Sequence, residues 1–129
     1  MSAYNFQKQF IQAIRSGKKR STIRKRRKNG YLPRVGDVIS LYTGMRTKQC
    51  ELIKRVPVNN VRSININIDT GSSNDIKFVE VIVGPDRLSS AEVYRLAVSD
   101  GFKDVEEFCK FFRDKYGTSV SAHLIEWST

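Results

Sequence analysis

The chain has 129 residues, 40% of them hydrophobic, and carries 23 Lys and Arg against 13 Asp and Glu for a formal net charge of +10. That length and composition suit one folded domain with one core and exclude a disordered chain. Two cysteines (Cys50, Cys109) and one histidine (His123) exclude a disulfide framework and a zinc site of ordinary ligand count, while the lack of any apolar run near the roughly 20 residues of a membrane span, or of a signal peptide's apolar stretch, sets the expectation of a cytoplasmic protein.

In chain order, Phe6, Phe10, Ala13 and Ile14 recur at helical spacing and predict a helix over residues 6 to 16, with Gly17 at its C-terminus. "STIR" after it (21 to 24) should run extended, and the polar, basic residues 25 to 34 should form an exposed loop. Gly36-Asp37 turns into a strand over 38 to 43. More strand follows from 49 onward, with interruptions expected at Pro57 and Asn59-Asn60. Ile64, Ile66 and Ile68 alternate with polar residues, the period of a strand with one buried face. Residues 69 to 75 read as a turn and 76 to 83 as a strand stopped by Gly84-Pro85. Ser89 or Ser90 then caps a helix to Ser99, Gly101 breaks it, and Asp104 caps a second helix over 105 to 116. "VSAHLIEW" closes the chain as a strand. The sum is an α+β domain with a largely antiparallel sheet. Both cysteines read as small buried hydrophobes.

Charge is distributed unevenly. Residues 1 to 55 hold fifteen Lys or Arg and two acids, whereas residues 56 to 129 hold eight and eleven. "GKKRSTIRKRRKNG" (17 to 30) alone contains eight Lys or Arg. Such a one-sided field draws phosphates, so RNA, a nucleotide or a nucleoside is the expected partner, with no membrane, metal or cofactor. Lys18, Arg20, Lys25, Arg26, Arg27, Lys28 and Lys48 would supply counter-charge. Arg24 and Arg46 would make forked phosphate contacts, and Tyr42 or Tyr31 could stack a base. Trp127, near the end of an apolar strand, reads as core before it reads as a stacking residue. No Walker A loop and no G-x-S-x-G element is present, which excludes the familiar ATP-driven and serine-histidine chemistries.

The order of the motifs resembles the ASCH family, a branch of the PUA-like barrels. The residues behind this are Gly17, Lys19, Thr22, Ile23 and Arg24, then Gly36-Asp37, then Ala97 to Phe102, then Ile125-Glu126-Trp127. "LYTGMRTKQC" (41 to 50) also looks like a segment of a bacterial and phage-associated subset. The resemblance implies a small, mostly antiparallel β-barrel with flanking helices and a cleft on one side, and an RNA-binding or nucleoside-handling role. In one bacterial subgroup a Lys, a Thr three residues later and a distant Glu hydrolyse the amide of N4-acetylcytidine without a metal; other members are linked to cleavage of single-stranded RNA. By that resemblance the catalytic positions fall on Lys19, Thr22 and Asp100. Asp100 departs from the pattern, being one methylene shorter than Glu, and a displacement of about 1 Å can cost on the order of a hundredfold in rate.

Three functions therefore follow as expectations: an RNA- or nucleotide-binding module, a metal-free hydrolase, and a protein-interaction module. For the hydrolase, a lysine among other cations (Lys18, Arg20, Arg24) and away from water should have a depressed pKa and serve as base for Thr22. Lys19 and Thr22 would point to opposite faces of a regular strand, so their partnership requires the chain to turn between them.

Overall fold

The computed structural model describes residues 2–28, 30–72 and 75–128. The elements are β1 (Ser2–Phe6), a 3-10 turn (Lys8–Phe10), α1 (Ile11–Ser16), β2 (Ser21–Arg24), β3 (Val38–Thr43), β4 (Glu51–Asp69), β5 (Phe78–Val83), β6 (Asp86–Arg87), α2 (Ser90–Ser99), α3 (Val105–Tyr116) and β7 (Ser119–Trp127). This is a mixed α+β fold built on one seven-stranded sheet. β1 pairs with β3 in parallel, and the remaining pairs are antiparallel.

β4 organises the sheet. Its first part pairs with β3, from Val38 opposite Pro57 to Thr43 opposite Glu51. Its second part pairs with β5 on one side and β7 on the other. The interruption expected at Pro57 and Asn59-Asn60 is instead a register shift between Val58 and Asn60 inside one continuous 19-residue strand. A bulge lets a strand bend and change partners without ending. Val56 and Val58 before it, and Ile64, Ile66 and Ile68 after it, all reach the core.

The N-terminus also differs from expectation. Residues 2 to 6 form β1, with Ser2, Tyr4 and Phe6 buried in strand alternation, and the helix proper begins only at Ile11. Phe10 and Ile14 still point inward as helical spacing required. What the spacing missed is the long-range pairing of β1 with β3, which overrides local preference.

β1 and β2 do not pair with each other, so the sheet is not closed into the barrel expected from resemblance. The seam between them is spanned by arginine side chains. Arg24 Nη2 donates to the Asn5 carbonyl at 2.5 Å, and Arg27 Nη2 donates to the Ala3 carbonyl. These carbonyls lie on the β1 edge that β3 leaves free, where an unmet acceptor is costly.

α2 and α3 are held by the caps their sequences announce. The Ser89 side chain accepts from Glu92 N (3.2 Å) while Glu92 accepts from Ser89 N (2.9 Å), and Asp104 accepts from Glu107 N (2.9 Å). α3 then packs Phe108, Phe111 and Phe112 around Phe102 and Phe10, with edge contacts such as Phe10–Phe102 at 5.4 Å. Cys109 is buried within this region and its thiol is pushed up to about 11 by burial, whereas Cys50 is exposed, contrary to expectation.

Candidate functional site

α1 ends at Gly17 in a left-handed conformation (φ 82°) that turns the chain toward β2. Lys19 N donates to Ala13 O (2.8 Å) and Arg20 N to Ser99 O (2.7 Å), fixing the segment between α1 and α2. Lys19 is thereby driven inward and is only 2% exposed. Its ammonium donates to the backbone carbonyl of Asp100 and lies 3.3 Å from Asp100 Oδ1. Asp100 caps the C-terminus of α2, is equally buried, and accepts a second bond from Ser21 Oγ at 2.9 Å.

The lysine stem runs past Gly101, whose φ of 98° already disfavours a side chain. A Cβ there would sit 2.9 Å from Lys19 Cδ and 3.0 Å from Phe10 Cδ1. The ammonium also lies over the Phe10 ring (4.7 Å to centroid) and near that of Phe6 (5.5 Å). Thus one face of the cation meets an anion and another meets aromatic rings.

β2 starts only at Ser21, so Lys19 stands before the regular strand. That is the turn the spacing demanded. Lys19, Thr22 and Asp100 consequently line one cavity of about 40 Å³, walled by Phe10, Phe102 and Phe112. Thr22 Oγ1 accepts from Arg24 Nε at 2.9 Å. The Arg24 guanidinium in turn covers the rings of Phe6 (4.7 Å) and Tyr4 (5.4 Å).

Burial controls the protonation of the pair. Loss of water depresses the Lys19 pKa, with Asp100 opposing and Arg24 assisting. Loss of water raises that of Asp100, with Lys19 and the Ser21 hydrogen bond opposing. Each group favours its neutral form through desolvation and its charged form through its partner, so the two titrate as a unit. Lys18 and Arg20, expected to depress the lysine, are exposed and have no part in it.

Outside this cavity lies a basin of about 890 Å³. It is lined by Arg24, Lys25, Arg27, Arg46, Tyr4 and Tyr116, and shares Asn5 and Arg24 with the inner cavity. The cations are braced on the rings: Arg27 over Tyr4 (4.6 Å) and Tyr31 (5.8 Å), Lys25 over Tyr116 (4.9 Å). Arg46 has a positive φ of 68°, unusual outside glycine, in a loop tied to β1 by Met45 N donating to Asn5 Oδ1 at 3.0 Å. Tyr4 and Tyr116 were not singled out by sequence. Tyr4 precedes the expected helix, and Tyr116 was absorbed into the apolar stripe of α3, although its position at the helix end beside Gly117 marks it as a residue able to face outward.

The other expected contacts are dispersed. Lys18, Arg26, Lys28 and Lys48 are exposed and line neither cavity, and Tyr42 is half-buried within β3. Arg26 acts instead on His123, whose pKa is lowered by burial and then by that charge. Arg20 lines a separate basin. Trp127 is core, 1% exposed, with its ring 6.3 Å from Phe6 in an edge contact. Among the described residues, no group of three or more His, Cys, Asp or Glu could hold a metal, and no helix is long and apolar enough to cross a membrane.

The mixed sheet pivoting on one long bent strand, with α2 and α3 following β6 and preceding the last strand, is an ASCH-like fold. The chain is similar in structure to ZmASCH from Zymomonas mobilis, solved as a mutant crystal structure, with a TM-score of 0.55 and 16% sequence identity. The match covers 98% of this chain and 66% of that one. No protein-family model and no curated protein sequence matches the chain.

Proposed function

We propose that this is an RNA- or nucleotide-binding domain of PUA-like type, with the seam between β1 and β2 as the place where its barrel stays open. The observation that carries this is the outer basin. Four cations, Arg24, Lys25, Arg27 and Arg46, share it with Tyr4 and Tyr116, and among the described residues no carboxylate lines it. Guanidiniums braced on rings present their remaining N–H groups to phosphate, and their outer planes would carry an unstacked base.

A second reading is a metal-free hydrolase acting on an N4-acetylcytidine-like amide or on single-stranded RNA. It is favoured by the convergence of Lys19, Thr22 and Asp100 on one cavity. There a neutral Lys19 amine would take the Thr22 proton as Oγ1 attacks the carbonyl carbon. The Arg24 Nε–H would stabilise the developing charge, and a protonated Asp100 would return a proton to the leaving amine. The acyl group left on Thr22 would then be released by water. This reading stands second because about 40 Å³ has room for about one water and not for a nucleoside.

One experiment separates them. Labelled single-stranded RNA is titrated by fluorescence anisotropy between about 50 and 200 mM salt, and the same preparation is incubated with N4-acetylcytidine and with the RNA. Binding that weakens steeply with salt is expected; absent or salt-insensitive binding overturns the first reading. Turnover that disappears in Lys19→Ala, in a preparation that still unfolds cooperatively in urea and still binds RNA, establishes the second, and no turnover in the wild type removes it.

A further inference from the structure

Arg20 follows Lys19 directly but its side chain leaves in another direction. It lines a basin of about 510 Å³ over β4 and β7 beside α2, which shares no lining residue with the Lys19 cavity or the Arg24 basin. The backbone holds Arg20 there from both sides: its N–H donates to Ser99 O (2.7 Å) and its carbonyl accepts from Trp127 N (3.0 Å).

Two more guanidiniums, Arg62 and Arg95, reach the same basin. Arg62 is held by Glu126 at 2.5 Å. Among the described residues neither Arg20 nor Arg95 has an ion-pair partner within 4 Å, although Glu92, which also lines the basin, feels the charge of Arg95. Leu88, Leu96 and Leu124 give the basin an apolar side. Trp127 also lines it, and its buried indole Nε1 has no hydrogen-bond partner among the described residues.

This chemistry differs from that of the Arg24 basin. There, cations and rings suit a phosphate chain, and phosphate contacts position without selecting a base. Here, acceptors from Glu126 and Asn59 stand among arginine donors beside an apolar side of leucines. An unstacked base is read by such a combination: an arginine plane against its face and hydrogen bonds to its edge. The volume lies within the roughly 300–1,000 Å³ of small-ligand sites.

We propose that the Arg20–Arg95–Glu126 basin is a second, base-selective subsite that takes one nucleotide of single-stranded RNA. Arg20 and Arg95 hold its phosphate, and Glu126 and Asn59 meet the base edge. The proposal rests on the RNA-binding reading above. Arg20 immediately precedes β2 and Arg24 ends it, so the two residues stand roughly 13 Å apart along the strand.

The test uses the single tryptophan of the chain, which lines this basin. Trp127 fluorescence is titrated with each of the four ribonucleoside monophosphates while labelled RNA is followed by anisotropy. The expected result is a saturable fluorescence change that differs between bases. Arg95→Ala should weaken it about tenfold, the effect of a lost charged hydrogen bond. Lys110→Ala, on the exposed face of α3, should not. A flat titration with all four nucleotides, or equal loss in both variants, overturns the subsite. RNA binding with silent Trp127 removes the subsite and leaves the Arg24 basin standing; a nucleotide response without RNA binding does the reverse.

Discussion

Residues 17 to 28 supply cations to two neighbouring places that treat charge in opposite ways. Lys19 is buried in a cavity of about 40 Å³ and is paired with a buried Asp100. Lys25 and Arg27, a few residues on, are exposed and line an open basin of about 890 Å³ that among the described residues has no carboxylate. In the first place desolvation is the governing cost, so charge must be matched group by group and salt has little access. In the second, water carries the charge and matching is loose, and under the proposed function a polyanion would supply the counter-charge. Arg24 belongs to both, joining Thr22 on the inside to the β1 edge on the outside.

The largest effect that tests this contrast is on stability. Lys19→Met leaves the Asp100 carboxylate with only the Ser21 hydroxyl, and removal of one partner of a buried pair costs about 3–5 kcal/mol. Adding Asp100→Leu should recover part of that loss, because apolar groups replace a buried pair at little net cost while the buried Ser21 hydroxyl loses its acceptor. Urea denaturation of the single and double variants reads both numbers. A double variant as unstable as the single would mean that Lys19 and Asp100 do not act as one unit. A stable double variant also provides a folded protein from which the inner pair is missing while the outer basin remains.

A smaller effect appears in the pH dependence of Asp100→Asn. That variant keeps Lys19 near a backbone carbonyl but removes the anion that opposes desolvation, so the folded pKa of Lys19 falls further below its ordinary 10.5. Between the folded and unfolded values the unfolded chain holds one more proton. Stability therefore rises with pH across that window, by up to about 1.4 kcal/mol per pH unit. In the wild type, Asp100 supports the ammonium and the rise should be shallower. Asp100's own raised pKa acts with the opposite sign in acid: its contribution is full below the ordinary carboxylate range and is lost as pH rises through the folded value. Urea midpoints from about pH 7 to about pH 10 check the comparison, and a wild type steeper than the variant would refute the assignment.

What sequence revealed of this arrangement depended on how local each cause is. The caps of α2 and α3 and the alternation of Ile64, Ile66 and Ile68 are short-range patterns and appear as read. β1 was hidden because five residues offer little periodicity and Phe6 with Phe10 fits a helix as well; its reason for being a strand is β3, some 37 residues away in register. β4 was broken on paper at Pro57 because the bulge that rescues it is created by the change of pairing partner. For the site, resemblance brought Lys19, Thr22 and Asp100 together, but the Ser21 bond to Asp100 depends on where β2 begins. Arg20 was grouped with Lys19 by adjacency, whereas the segment between Ala13 and Ser99 sends the two side chains to separate cavities.

The finest distinction lies within the exposed cations themselves. Charge counting treats Arg27 and Lys48 alike. Structure separates them: Arg27 is braced on Tyr4 and bonded to the Ala3 carbonyl inside the basin, while Lys48 lines neither cavity. A contact that releases one counterion from single-stranded RNA contributes about 0.7 to the slope of log K against log salt. Arg27→Ala should lower the measured slope by about that amount and weaken binding across all RNA sequences, since phosphate contacts carry no base identity. Lys48→Ala should change the slope less, because a remote charge adds only to a field that salt screens within about 10 Å. If the two variants prove equal, the RNA is reading overall charge and the basin has no special part in holding it.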